Sequence, residues 1–170
     1  MTNFTVIDDV GQVRLLQRAV QAELRVQFQF ALEHPVLVEL KIPPAQGWRG
    51  NYYNPEGNLG RYTMLDLGGM KTHQILVRPG LEKTRFCAIL AHEMTHAYQR
   101  EQNILTENQA LREGMARWVE YHLLQQDKSP EAHRLLKLEN YTFGKAIESI
   151  LSYEKHHGRA ATLKWLNQHR

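Results

Sequence analysis

Three observations predict an α+β fold. Between residues 36 and 78, short apolar and β-branched runs alternate with turn residues, as strands do. From Leu81 to Glu101 no Pro or Gly interrupts the chain, and apolar residues recur at helical spacing. The remaining third carries helix-start signals followed by long segments of good helix formers.

The elements follow in order. Asp8 or Asp9 can cap a first helix, predicted to run to about Leu32 with Val13, Leu16, Val20 and Leu24 on one face; His34-Pro35 breaks it. Val36 to Ile42 is a predicted strand. Pro43 to Asn58 is a loop rich in Pro, Gly and Asn that carries Trp48, Tyr52 and Tyr53. So long a connection is uncommon unless functional, so it is either a wall of a cleft or a wrap whose aromatics patch the core. Leu59 to Leu67 and Thr72 to Arg78 read as two strands joined by a turn at Gly68-Gly69. The helix from Leu81 to Glu101 follows. Thr106-Glu107-Asn108-Gln109 has a capping-box pattern and opens another. Ser129-Pro130 starts a fourth with Ser as N-cap and Pro at N1. Asn140 to His157 and Arg159 to Gln168 complete a helical C-terminal half.

The chain has 170 residues, enough for one domain with a proper core, and residues 1–170 are expected to form a single domain. No run approaches the roughly 20 apolar residues of a membrane span, and the N-terminus has no basic start or apolar h-region. Cys87 is alone, which excludes an internal disulfide or a Cys₄ zinc ribbon. Cytoplasmic residence and no membrane partner are therefore expected. A net charge of +3 is mild. No basic patch is interleaved with aromatics, which argues against nucleic acid as a partner.

His92-Glu93-Met94-Thr95-His96 reads HExxH. On a helix, residues i and i+4 share a face. His92 and His96 can therefore offer two imidazole nitrogens to one Zn²⁺, with Glu93 placed to take a proton from a zinc-bound water. Phe86, Leu90, Met94 and Ala97 line the opposite face, predicting a half-buried helix whose histidines look into a cleft. The plain alternative is a pair of surface histidines.

A catalytic zinc normally takes three protein ligands. After His96 the chain continues Ala97-Tyr98-Gln99-Arg100, without a further nearby His. Glu113, on the next helix and 17 residues after His96, is the candidate, with Glu107 and Glu120 as fallbacks. It lies off the apolar stripe of Leu111, Met115, Trp118 and His122, and Gly114 beside it lets helices approach closely. A solvated helix carboxylate is the competing reading.

ILAHEMTHAYQR followed by LREGMARWVEYHLL resembles the gluzincin clan of zinc metallopeptidases. With Ile75-Leu76-Val77-Arg78-Pro79-Gly80-Leu81 ahead of it, the stretch of roughly residues 60–125 is similar to the C-terminal peptidase domain of plant DA-type LIM-domain proteases. Those are ubiquitin-activated regulators of organ size. No LIM domain or ubiquitin-interacting helix is identified here, so that biology does not carry over. The resemblance implies a zincin-like fold: a small antiparallel or mixed sheet, an active-site helix and a helical C-terminal lobe. It also implies a zinc cofactor on His92, His96 and Glu113, with Glu93 as general base. Tyr141, in Tyr141-Thr142-Phe143-Gly144, resembles the Tyr-x-x-Gly tyrosine that hydrogen-bonds the tetrahedral intermediate in gluzincin aminopeptidases. Several family members carry an acid four residues after the ligand Glu. Arg117 stands there, so His orientation must come from elsewhere, with Glu120 the candidate.

The expected activity is zinc-dependent peptide-bond hydrolysis on a protein or peptide substrate. By analogy with zincins, the strand at Arg61–Leu65 is expected to hold substrate backbone along an unpaired edge. Three alternatives compete: a repressor-cleaving regulatory HExxH protease, a DNA-associated SprT-like protease, and a latent zincin-fold binding module.

Overall fold

A computed structural model describes residues 6–44, 59–138 and 144–169. The architecture is α+β, as predicted. In chain order the elements are β1 (Val6–Ile7), α1 (Val10–Phe28), β2 (Val36–Leu40), β3 (Gly60–Leu67), β4 (Met70–Val77), β5 (Leu81–Glu82), α2 (Lys83–Gln102), α3 (Gln109–Gln126), α4 (Glu131–Leu138), α5 (Gly144–His157) and α6 (Arg159–Asn167).

The main sheet has the order β2-β4-β3. Strands β3 and β4 form an antiparallel hairpin in the register Gly60↔Val77 to Leu67↔Met70. Its turn is Gly68-Gly69, with φ of 66° and 90°. Two consecutive positive φ values are the signature of the two-residue turn that matches strand twist, and glycine adopts them without a Cβ penalty. Strand β2 joins the other side of β4 in parallel. His73, Ile75 and Val77 alternate along β4 onto the face that α2 covers, and each is fully buried. A second, two-stranded piece pairs β1 with β5, a contact that the sequence did not suggest.

Helix α2 is the centre of the molecule. It is buried all round from Ala88 to Thr95, not half-buried as its periodicity predicted. The reason is steric. Ala88, Ala91, Thr95 and Ala97 are small, so the sheet, α1 and α3 can all close on it. Phe86, Leu90, Met94 and Ala97 join the core as expected. Phe28 and Trp118 meet edge to face at 5.1 Å on the α1–α3 side, and Phe30 stacks on Tyr98 at 4.1 Å.

Two helix boundaries differ from expectation. Helix α1 begins behind Asp9, whose side chain accepts from the Gln12 N–H, but it stops at Phe28 instead of about Leu32. Gln29 turns left-handed (φ 60°), its N–H reaches Arg25 O, and Phe30 N–H reaches Leu24 O. That pattern closes a helix, and it lets Phe30 fold back into the core. A non-glycine residue at this position gives no sequence signal. Helix α3 is capped by Asn108, which accepts from Leu111 N–H at 3.0 Å, and not by Thr106. The shorter strand β2 ends at Leu40.

Candidate metal centre

Helix α2 brings His92 and His96 together one turn apart. Their rings lie nearly perpendicular with centroids 4.9 Å apart, and their Nε2 atoms are separated by 3.2 Å. Helix α3 delivers Glu113 to the same point. Its two carboxylate oxygens each lie 3.6 Å from a histidine nitrogen, Oε2 from His92 Nε2 and Oε1 from His96 Nε2. Gly114 helps hold α3 in this position by packing against α5: a Cβ there would lie 2.8 Å from the Ala146 Cβ.

This group can hold a metal ion: one ligand atom from each residue lies within 4.8 Å of the others. A tetrahedral ion with ligand bonds of about 2.0–2.1 Å separates its ligand atoms by about 3.3–3.4 Å. The observed separations of 3.2 and 3.6 Å bracket that spacing. The donor set of two imidazoles and one carboxylate suits a borderline cation such as zinc.

The electrostatics favour a cation. Burial disfavours a charged His92, but hydrogen bonds with Glu113 and Glu120 outweigh it and raise its pKa to about 10. For Glu113, burial works against the carboxylate, and the two histidines overcome it, holding the carboxyl well below its usual range. Positive charge is wanted at this point, whether a proton or a metal carries it.

Glu93 lies beside the His–His–Glu group, 8% exposed. Burial raises its pKa, with His92 and His96 pulling the other way. Above it runs the start of β3. A Cβ on Gly60 would fall 2.6 Å from Glu93 Oε1 and 2.7 Å from Ile89 Cγ2, so only glycine lets the strand approach the Glu93 carboxylate this closely.

Behind the histidines sit two polar partners. Glu120 Oε2 lies 3.1 Å from His92 Nδ1, on the far side of the ring from Glu113, and Glu120 is not part of the group that can hold an ion. Arg117 Nη1 is 3.7 Å from the same oxygen. Gln99 Oε1 lies 2.8 Å from His96 Nδ1. Gln99 was not singled out from the sequence, although its place three residues after His96 puts it on the same face. Glu107 is exposed and takes no part in the group. Tyr141, Trp48, Tyr52 and Tyr53 lie outside the described residues.

Fold and site together define an α+β protein whose His–His–Glu group, carried on an HExxH helix and the helix after it, can hold a metal ion. The family model described as "DA1-like: Protein DA1" matches residues 63–168, more than half of the chain. The protein belongs to the DA1-like family. The match includes His92, Glu93, His96 and Glu113, and it extends beyond the 60–125 stretch where the motifs are densest. No curated protein and no solved structure matches the chain. Among the described residues, no helix is long and apolar enough to cross a membrane.

Proposed function

We propose that this protein is a gluzincin-type zinc metallopeptidase that hydrolyses peptide bonds of a protein or peptide substrate, as one catalytic domain acting in the cytoplasm. The observation that carries this reading is the convergence of His92, His96 and Glu113 beside a buried Glu93.

A zinc ion at such a site polarises the scissile carbonyl and acidifies water. Glu93 supplies the base: its carboxylate accepts a proton from the attacking water and returns it to the leaving nitrogen. Tyr141, by the Tyr-x-x-Gly resemblance, is the proposed donor to the substrate oxyanion.

Strand β3 offers a place for substrate backbone. It lies at the edge of the sheet, and no other described strand pairs with its free side. Arg78 N–H donates to Leu59 O, and Leu67 faces Met70 across the turn. Residues 59, 61, 63, 65 and 67 therefore bond inward to β4, while Gly60, Tyr62 and Met64 turn their N–H and C=O to the open edge. An extended peptide adding there would run past Glu93.

The test compares the wild-type protein with Glu93→Gln. Both should hold about one zinc per chain. Labelling of new N-termini in a proteome should reveal cleavages made by the wild type only, with the variant slower by about 10²-fold or more. Equal cleavage by the two proteins would exclude Glu93 as the base.

A further inference from the structure

Which nitrogen a histidine offers is decided on the far side of its ring. Gln99 Nε2 donates to the Arg112 carbonyl at 2.8 Å. Its amide oxygen is therefore the atom that faces His96 Nδ1 at 2.8 Å. An oxygen only accepts, so His96 carries a proton on Nδ1. Glu120 presents a carboxylate oxygen to His92 Nδ1 at 3.1 Å and imposes the same arrangement. Both rings keep N–H behind them and turn Nε2 toward Glu113.

The two supports are both deeply buried but unlike. Glu120 and Gln99 are each 2% exposed. Glu120 is an anion on α3, flanked by Arg117. Gln99 is neutral and lies on α2, but its other end holds the carbonyl of Arg112, the residue just before Glu113. It thus ties the orientation of His96 to the stretch of α3 that carries the third ligand.

We propose that Glu120 and Gln99 are positioning residues of the metal centre: Glu120 orients His92 and raises its donor strength, and Gln99 sets His96 in register with Glu113. The proposal rests on the zinc reading of the site. Neither residue is a ligand, and each acts through one.

The experiment measures zinc affinity by competition with a chromophoric chelator for the wild type, Glu120→Gln, Glu120→Leu, Gln99→Leu and His96→Ala. Loss of a hydrogen-bonded support behind a metal ligand typically costs about 10–100-fold in affinity. Zinc binding should weaken in the order wild type, Glu120→Gln, Glu120→Leu. Gln99→Leu should also weaken it by at least about tenfold, and His96→Ala should lose stoichiometric zinc. A residue that only fills space would not follow the acceptor strength of its replacement. Nitrogen-15 spectra of His92 and His96, recorded with and without zinc, provide the second readout. Both rings should carry a proton on Nδ1 in the wild type, and in the zinc-free protein His96 should lose that preference in Gln99→Leu.

Unchanged affinity in Glu120→Gln and Gln99→Leu, beside loss in His96→Ala, would overturn the proposal and leave the zinc site standing. A bare Nδ1 on either ring of the wild type would also overturn it. If the wild type itself binds no zinc, the zinc reading falls, and the metal-free spectra still decide whether the two supports set the rings.

Discussion

Helix α3 takes part in two histidine–carboxylate clusters, and they are built to opposite ends. At one, His92, His96 and Glu113 turn ligand atoms toward a common point. At the other, His122 Nε2 lies 2.8 Å from Glu154 Oε2, while Arg159 Nη2 lies 2.9 Å from His122 Nδ1. Trp118 Nε1–H donates to Glu154 at 2.8 Å, and Arg159 also reaches Glu154, at 3.0 Å, and Gln27, at 3.1 Å. A guanidinium only donates, so His122 accepts at Nδ1 and donates at Nε2. Both of its nitrogens are taken. The first cluster leaves its lone pairs facing one another, which suits a cation; the second closes on itself, which suits the joining of α1, α3, α5 and α6. Residue type does not separate them. What separates them is where the partners of each nitrogen stand.

The largest expected contrast is in metal content. His96→Ala should lose stoichiometric zinc, while Glu154→Gln should keep about one ion per chain, read by elemental analysis after dialysis. Zinc loss in Glu154→Gln, with the fold intact, would erase the distinction between the clusters.

Next in size is Gly60→Ala. The added methyl meets Glu93 and Ile89, so the strand or the Glu93 side chain must shift. Displacements of about 1 Å near a reacting centre can cost on the order of 10²-fold in rate. Cleavage should fall strongly while zinc content stays near one per chain. Wild-type turnover in this variant would mean that the strand does not constrain the base.

A smaller effect is expected in the closed cluster. Glu154→Gln weakens charge-assisted hydrogen bonds to His122, Trp118 and Arg159, and should cost about 1–3 kcal/mol in urea unfolding. A cost no greater than that of an ordinary surface substitution would show that the cluster does little to join the helices.

The smallest contrast is one of pH. Burial alone would raise the Glu154 pKa, but bonds to His122, Trp118 and Arg159 lower it from 4.5 to about 2. A carboxyl with a depressed folded pKa contributes stability above its unfolded pKa, and that contribution fades as the folded carboxylate protonates. Wild-type stability should therefore drop between about pH 4.5 and 2, and Glu154→Gln should drop less. Parallel acid profiles would assign the loss to other groups.

The same contrast shows what could be read from the sequence. His92 and His96 are four residues apart on one uninterrupted helix, so local geometry alone predicts their convergence. Glu113 needed more: an off-stripe position, a neighbouring glycine and a family resemblance. Glu120 was legible once Arg117 occupied the place where the resemblance puts an acid. Gln99 was passed over because a glutamine on a helix usually faces solvent, and only the Arg112 carbonyl shows otherwise. The Glu154 cluster joins residues 27, 118, 122, 154 and 159, and no periodicity links positions so far apart. The early end of α1 was hidden for a different reason, since Gln29 stands where glycine or asparagine would have marked it.

The hairpin turn has a consequence at the other end of its strand. Gly68-Gly69 closes β3 onto β4 with a loop of fixed length, and alternation then decides which face every earlier residue takes. Counting back from Leu67 by that parity puts Gly60 against Glu93. One extra residue at the turn, placed in β3, would reverse the parity of the whole strand and bring the Arg61 position toward Glu93. The turn thus works as a ruler, and the spacing it sets is read out beside Glu93.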